Sequence, residues 1–182
     1  MTLTIVLAIT GVLLLVAVAI FNRLIKQRNR VDNAWAQVDV QLRRRYDLIP
    51  NLVETVKGYA GHEQQTFVDV VTARTAAQSA SGVADQAQAE GVLGSMLQRL
   101  FALAEQYPAL RASENFQHLQ SELSDTEDKI AIARQIYNDT VLTYNTTTQT
   151  IPANLVAVLA RFKTRDFFET ADDARNAPGV AF

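Results

Sequence analysis

Few residues in this chain are equipped for chemistry, and their spacing argues against most of it. There is no cysteine, so a thiol nucleophile, an iron-sulfur cluster, a disulfide framework and a lipoprotein anchor are excluded. Of the two histidines, His62 follows Gly61 at the expected start of a helix and reads as a solvated or capping residue. A di-iron bundle needs Glu-x-x-His motifs. His118 has Asn115 at that spacing, and Glu114 lies one step too far. The acidic group Glu122, Asp125, Glu127 and Asp128 spreads around a helix and reads as a solvated face. No G-x-S-x-G, Walker loop or H-E-x-x-H occurs. The chain therefore predicts no catalytic residues, no metal ligands and no cofactor. That leaves "RRRYDLIPNLVE", Arg43 to Glu54, where a proline interrupts an otherwise helical pattern directly after three arginines.

The elements that position this stretch begin with an uncharged one. Residues 1–21 carry no charge, and Arg23, Lys26, Arg28 and Arg30 then follow in quick succession. As a helix, Leu3 to Phe21 would extend about 28 Å, about the thickness of the hydrocarbon layer. We read 1–22 as a transmembrane helix. The competing reading is a cleaved signal peptide, for which Ala17-Val18-Ala19 could serve as the cleavage site. The four cations after the span predict a single-pass membrane protein, N-terminus outside and the rest cytoplasmic. The net charge of -2, with both signs interspersed, offers nucleic acid no attraction.

From Val31 the apolar residues step by three and four through Ala34, Trp35, Val38, Leu42, Ile49, Leu52, Val56 and Ala60. Nothing punctuates Phe21 to Val31, so span and first soluble helix read as continuous, ending near Gly58 to Gly61. A second helix is expected from His62 to about Ser81, with Phe67, Val70, Val71, Ala73 and Ala77 as its stripe. A third is expected from about Ala84 to Tyr107, ended or sharply kinked by Pro108. The fourth has the clearest period: Phe116, Leu119, Leu123, Thr126, Ile130, Ala133, Tyr137, Thr140 and Tyr144, a coiled-coil-like alternation ending in the threonine run before Pro152. The prediction is all-α, with an N-terminal transmembrane helix, a long antiparallel four-helix bundle over 23–150, and a short helical, amphipathic C-terminal tail over 151–182.

The stretches "AWAQVDVQLRRRYDLIPNLVETVKGYAGHE", "ENFQHLQSELSDTEDKIAIARQIYNDTVLTYN" and "FFETADDARNAPGVAF" resemble the bacterial LemA family. The resemblance implies a single-pass membrane protein with a mostly cytoplasmic antiparallel helical domain. It also implies relatives encoded beside membrane-quality-control functions or, in one branch, engaged in building internal membranes. It implies no enzymatic activity and supplies no catalytic residue. "NTTTQTIPANLVAVL" is richer in threonine than the family pattern.

Lengths suggest how these parts are used. The first helix beyond the membrane, about 57 Å, matches the fourth at about 52 Å, whereas the second and third reach only about 30 and 34 Å. The membrane-proximal half would then be two helices thick, leaving Val31, Ala34, Trp35, Val38, Ile136 and Tyr144 incompletely covered. Two outcomes are open: neighbouring copies complete this core, giving a homo-oligomeric scaffold that organises or shapes the membrane, or the tail folds back over it. The tail itself carries Leu155, Val158, Leu159, Phe162, Phe167 and Phe168 beside Arg161, Lys163 and Arg165. It either enters the bilayer, its cations joining Arg23, Lys26, Arg28 and Arg30 at lipid headgroups, or docks on its own bundle. Arg43 is expected in an exposed ladder with Asp39 and Asp47. Pro50 either bends the helix, or Arg44, Arg45, Tyr46 and Asn51 around it form a docking surface for a partner such as a membrane protease or sensor.

Overall fold

The protein, described over residues 1–169 by a computed structural model, is built of helices α1 (Thr2–Lys57), α2 (Gln64–Ser79), α3 (Val83–Ala104), α4 (Pro108–Arg111), α5 (Glu114–Gln149) and α6 (Ala153–Leu159). No strand occurs among the described residues. The expected span and first soluble helix are one 56-residue helix that stops immediately before Gly58. Along it the surroundings change abruptly. Every side chain from Met1 to Val16 is exposed, whereas from Leu24 a stripe is buried at steps of three and four: Leu24, Gln27, Val31, Ala34, Val38, Leu42.

Helix ends follow the local chemistry. α3 stops at Ala104, three residues short of expectation. Pro108 neither ends nor kinks it but occupies the first turn of α4, where a missing N–H costs nothing. The α5 stripe departs from the expected one after Tyr137, for Val141 takes the fully buried place and Thr140 is half-buried, its hydroxyl donating to the Ile136 carbonyl at 2.7 Å. In α2, Val71 is exposed and the buried side is Phe67, Val70, Ala73 and Ala77.

The chain divides into two compact units. One comprises Met1–Ala36 with Gln135–Asp166. In it α1 and α5 run antiparallel, since Trp35 stacks on Tyr137 at 5.4 Å and Gln27 Nε2 donates to Thr147 Oγ1 at 3.0 Å. The other comprises Gln37–Arg134 with the described residues 167–169. Its core is drawn from α1, α2, α3 and α5, with Ile49, Leu52, Val70, Leu93 and Leu100 fully buried, each burial of this kind stabilising by about 1.5–3 kcal/mol. Antiparallel running of α1 and α5 is again fixed by pairs, Thr55 with Asn115 and Arg45 with Glu127. Short connections impose this direction on neighbouring helices.

Candidate functional site

In the second unit the proline stretch is an internal junction. Pro50 has no N–H to give the Tyr46 carbonyl four residues earlier. Arg74 of α2 supplies the donor instead, its Nε lying 2.7 Å from that oxygen, and α1 remains helical through the proline. One turn before Pro50, Tyr46 and Arg45 point inward. Arg45 Nη1 lies 3.2 Å from Glu90 Oε2 and 3.1 Å from Glu127 Oε2. The Tyr46 hydroxyl donates to Glu90 Oε1. Gln86 Nε2 lies 2.8 Å from the Tyr46 oxygen, 3.1 Å from Glu90 Oε1 and 3.0 Å from the Ala77 carbonyl, enough acceptors for both its hydrogens. One polar cluster thus joins α1, α2, α3 and α5.

Burial governs its electrostatics. The Glu90 side chain is 5 % exposed and that of Arg45 8 %, whereas Glu127 keeps half its surface in water. Removal from water raises the Glu90 pKa, a push that the hydrogen bond from Tyr46 and the charge of Arg45 only partly oppose. The same burial, with Glu90 alongside, drives the Tyr46 phenol far above its ordinary value, so it remains a donor at physiological pH. A carboxylate held this way is a structural acceptor.

Arg45 and Tyr46, 7 % and 4 % exposed, therefore cannot form the docking surface expected of them. The reason is Glu90, a carboxylate set within the buried stripe Ala87, Glu90, Leu93, Leu97 and Leu100 of α3, which draws both inward. Arg44 sits at the rim, 4.0 Å from Glu122, while Pro50 and Asn51 are exposed. Glu90, Gln86 and Arg74 were not singled out from the sequence. The signal for Glu90 was present in its position on the apolar period.

In the first unit the tail folds back. The Tyr144 hydroxyl donates to the Lys163 carbonyl at 2.9 Å and that of Tyr137 to the Asp166 carbonyl at 2.8 Å. Asn145 grips Arg165 at both backbone groups, donating to its carbonyl at 2.8 Å and accepting from its N–H at 2.9 Å. The Arg165 guanidinium meets Asp32 at 2.8 Å. Phe162 packs edge-on against Phe21 and lies under Arg28, each at 5.6 Å. Burial raises both tyrosine pKa values, keeping each hydroxyl a donor.

This closure corrects the expected oligomer interface. Val31, Ala34 and Tyr144 are 1–4 % exposed in a core completed within the chain, and Val38 is fully buried in its own unit. Trp35 is half-buried on Tyr137, and Ile136 stays 47 % exposed. The expected headgroup contacts divide similarly. Arg23, Lys26, Arg30, Arg161 and Lys163 are exposed, Arg28 is exposed but lies over Phe162, and Arg165 is taken by Asp32. Of the tail aromatics, Phe168 is buried beside Arg134, its ring 4.8 Å from the guanidinium. The tail beyond residue 169 lies outside the described residues. Among the described residues no three His, Asp or Glu side chains are grouped to hold a metal ion.

A long apolar helix exposed on all sides from Thr2 to Val16, continuous with buried helical packing, defines a membrane-associated all-helical protein. The chain belongs to the LemA family, whose sequence profile matches residues 34–182. It is 36 % identical over 81 residues to the magnetosome proteins MamQ 1 and MamQ 2 of Paramagnetospirillum magneticum AMB-1, covering 44 % of this chain. It spans only 30 % of the length of those relatives. It is also 26 % identical over 152 residues to protein LemA of Metamycoplasma hominis, covering 81 % of this chain and 68 % of that one.

Proposed function

We propose that this protein is a non-enzymatic scaffold of the inner membrane, anchored by residues 1–22 with its helical domain on the cytoplasmic side, and self-associating through the outer face of its membrane-proximal helices. The observation that carries the reading is Ile136 of the first unit, a large apolar side chain 47 % exposed on the face of α5 away from its buried stripe. Because each copy closes its own core, association joins finished surfaces and leaves the fold of each copy unchanged. The exposed cations Arg23, Lys26, Arg28 and Arg30 support the cytoplasmic orientation and contact with anionic headgroups. Relatives that are magnetosome proteins support this reading.

The test is the mass of gently detergent-extracted full-length protein. A discrete multiple of 20.1 kDa is expected, reduced to one copy by Ile136→Glu and unchanged by Leu142→Glu, a substitution at a somewhat more exposed position on a different face of α5. A single copy for the unaltered protein overturns self-association. It would favour an adaptor that presents its domain to a membrane protease or sensor, for which the groove of about 450 Å³ lined by Val53, Lys57, Phe67, Val68 and Val71 is the surface to probe.

A further inference from the structure

The short helix α6 is inside out. Its buried residues are the small ones, Ala153 and Ala157, one turn apart, while Leu155, Val158 and Leu159 on the opposite side are 69 %, 79 % and 87 % exposed, with Ile151 just before them at 83 %. A helix lying on a protein surrounded by water buries its large apolar residues and exposes its small or polar ones. Here the order is reversed for three of the four large apolar side chains, Val156 alone being half-buried.

The position of α6 within its unit says what covers it. Before α6, Thr147 is bonded to Gln27; after it, Phe162 touches Phe21 and Arg28. The helix therefore lies level with residues 21 to 27 of α1, where the uncharged segment gives way to cations. Its outward leucines and valine stand at the level where that apolar segment ends. Exposed Arg23, Lys26, Arg161 and Lys163 flank them with charge suited to anionic headgroups.

We propose that α6 is a second membrane contact, a foot that lies in the headgroup region of the same leaflet that α1 crosses and inserts Ile151, Leu155, Val158 and Leu159 about 5–10 Å toward the acyl chains. The inference rests on the reading of α1 as the anchor and adds to it. With a single transmembrane helix the domain is free to rotate and tilt about one axis. A foot beside that axis fixes which side of the domain faces the bilayer, and its displacement of lipid in one leaflet favours a curved surface.

Because the chain has no cysteine, a single introduced one gives a unique site for an environment-sensitive fluorophore. Full-length Val158→Cys, Leu159→Cys, Leu7→Cys and Val71→Cys are labelled and reconstituted into phosphatidylcholine vesicles containing a quarter phosphatidylglycerol. Labels at 158 and 159 are expected to lose about half their emission when the phosphatidylcholine carries bromine on its acyl chains, and to resist a water-soluble quencher. The label at position 7 reports the anchor, and the label at position 71 reports a water-facing surface. If 158 and 159 behave like 71 while 7 is quenched by bromolipid, the foot is overturned and the anchor stands. If 7 is also open to the aqueous quencher, the anchor reading itself falls. Protection of 158 and 159 from both quenchers overturns the foot in favour of cover by a second copy.

Discussion

Replacing Arg45 with methionine keeps an aliphatic stem of similar reach and removes the guanidinium facing Glu90. Glu127, half in water, returns to solvent with little loss, so the consequence falls on Glu90. It can remain an uncompensated buried charge, which costs about 3–5 kcal/mol. Alternatively it can take a proton, which for a glutamate of ordinary pKa near 4.3 costs about 3.7 kcal/mol at pH 7 and about 1 kcal/mol at pH 5. The cheaper route limits the damage, so Arg45→Met should destabilise by about 3–4 kcal/mol at pH 7 and by about 1 kcal/mol at pH 5. For a chain of this length the loss corresponds to a Tm lower by about 6–16 °C at pH 7 and by about 2–4 °C at pH 5. In the unaltered protein the direction is the same but weaker. Burial raises the folded-state pKa of Glu90, so its stabilising contribution is full below the ordinary glutamate pKa and is lost as pH rises through the raised value. Glu90→Gln should flatten that decline. Arg45→Met combined with Glu90→Gln removes both charges while the Gln carbonyl still accepts from Tyr46, and it should lie within about 1.5 kcal/mol of the original. Thermal unfolding of the detergent-solubilised protein, followed by helical circular dichroism at both pH values, measures all four forms. Equal destabilisation by Arg45→Met at pH 5 and pH 7 would refute the reasoning and make Arg45 a packing residue.

Two further outcomes follow from single contacts. Arg74→Ala leaves the Tyr46 carbonyl without its 2.7 Å donor and should cost about 1.5–3 kcal/mol, but under about 1 kcal/mol in a Pro50→Ala background, where the restored N–H supplies one; additive losses in this double-mutant cycle would refute the pairing. Asn145→Ala should loosen the backbone around Arg165, costing about 1–3 kcal/mol and accelerating hydrogen exchange at the Arg165 amide, whereas unchanged protection there would show that the contacts of Tyr137, Tyr144, Phe162 and Asp32 hold the tail without it.

Much of the fold was written in periodicity. The buried stripe of α1 runs through Val31, Ala34, Val38, Leu42, Ile49, Leu52 and Val56 as its spacing requires, and α5 ends in the threonine run before Pro152 as expected. The register failed where threonine competes with valine. Thr140 and Val141 both fit a step of three or four after Tyr137, and only a hydroxyl can satisfy itself on its own helix, which turns Thr140 outward. The uses of individual polar residues were far less legible. Arginines beside an exposed proline read as surface because charge usually is surface. The direction of Arg45 alone depended on a carboxylate 45 residues away, whose own clue was its place in an apolar stripe.

Pro50 and Glu90 together explain why that clue matters. A proline inside a helix frees a carbonyl, and a glutamate inside a stripe leaves a carboxylate; each is a buried acceptor needing a donor from another element. Arg74 answers the first from α2, while Arg45, Tyr46 and Gln86 answer the second from α1 and α3. Apolar stripes tolerate small slips between helices, since one leucine fills another's place at modest cost. Donors aimed at fixed acceptors do not, because a one-turn slip of α2 or α3 against α1 strands both. The sequence "RRRYDLIPNLVE" is thus best understood as the registration mark of the second unit, in which Arg45 and Tyr46 point inward and Pro50, itself exposed, frees the carbonyl that Arg74 answers.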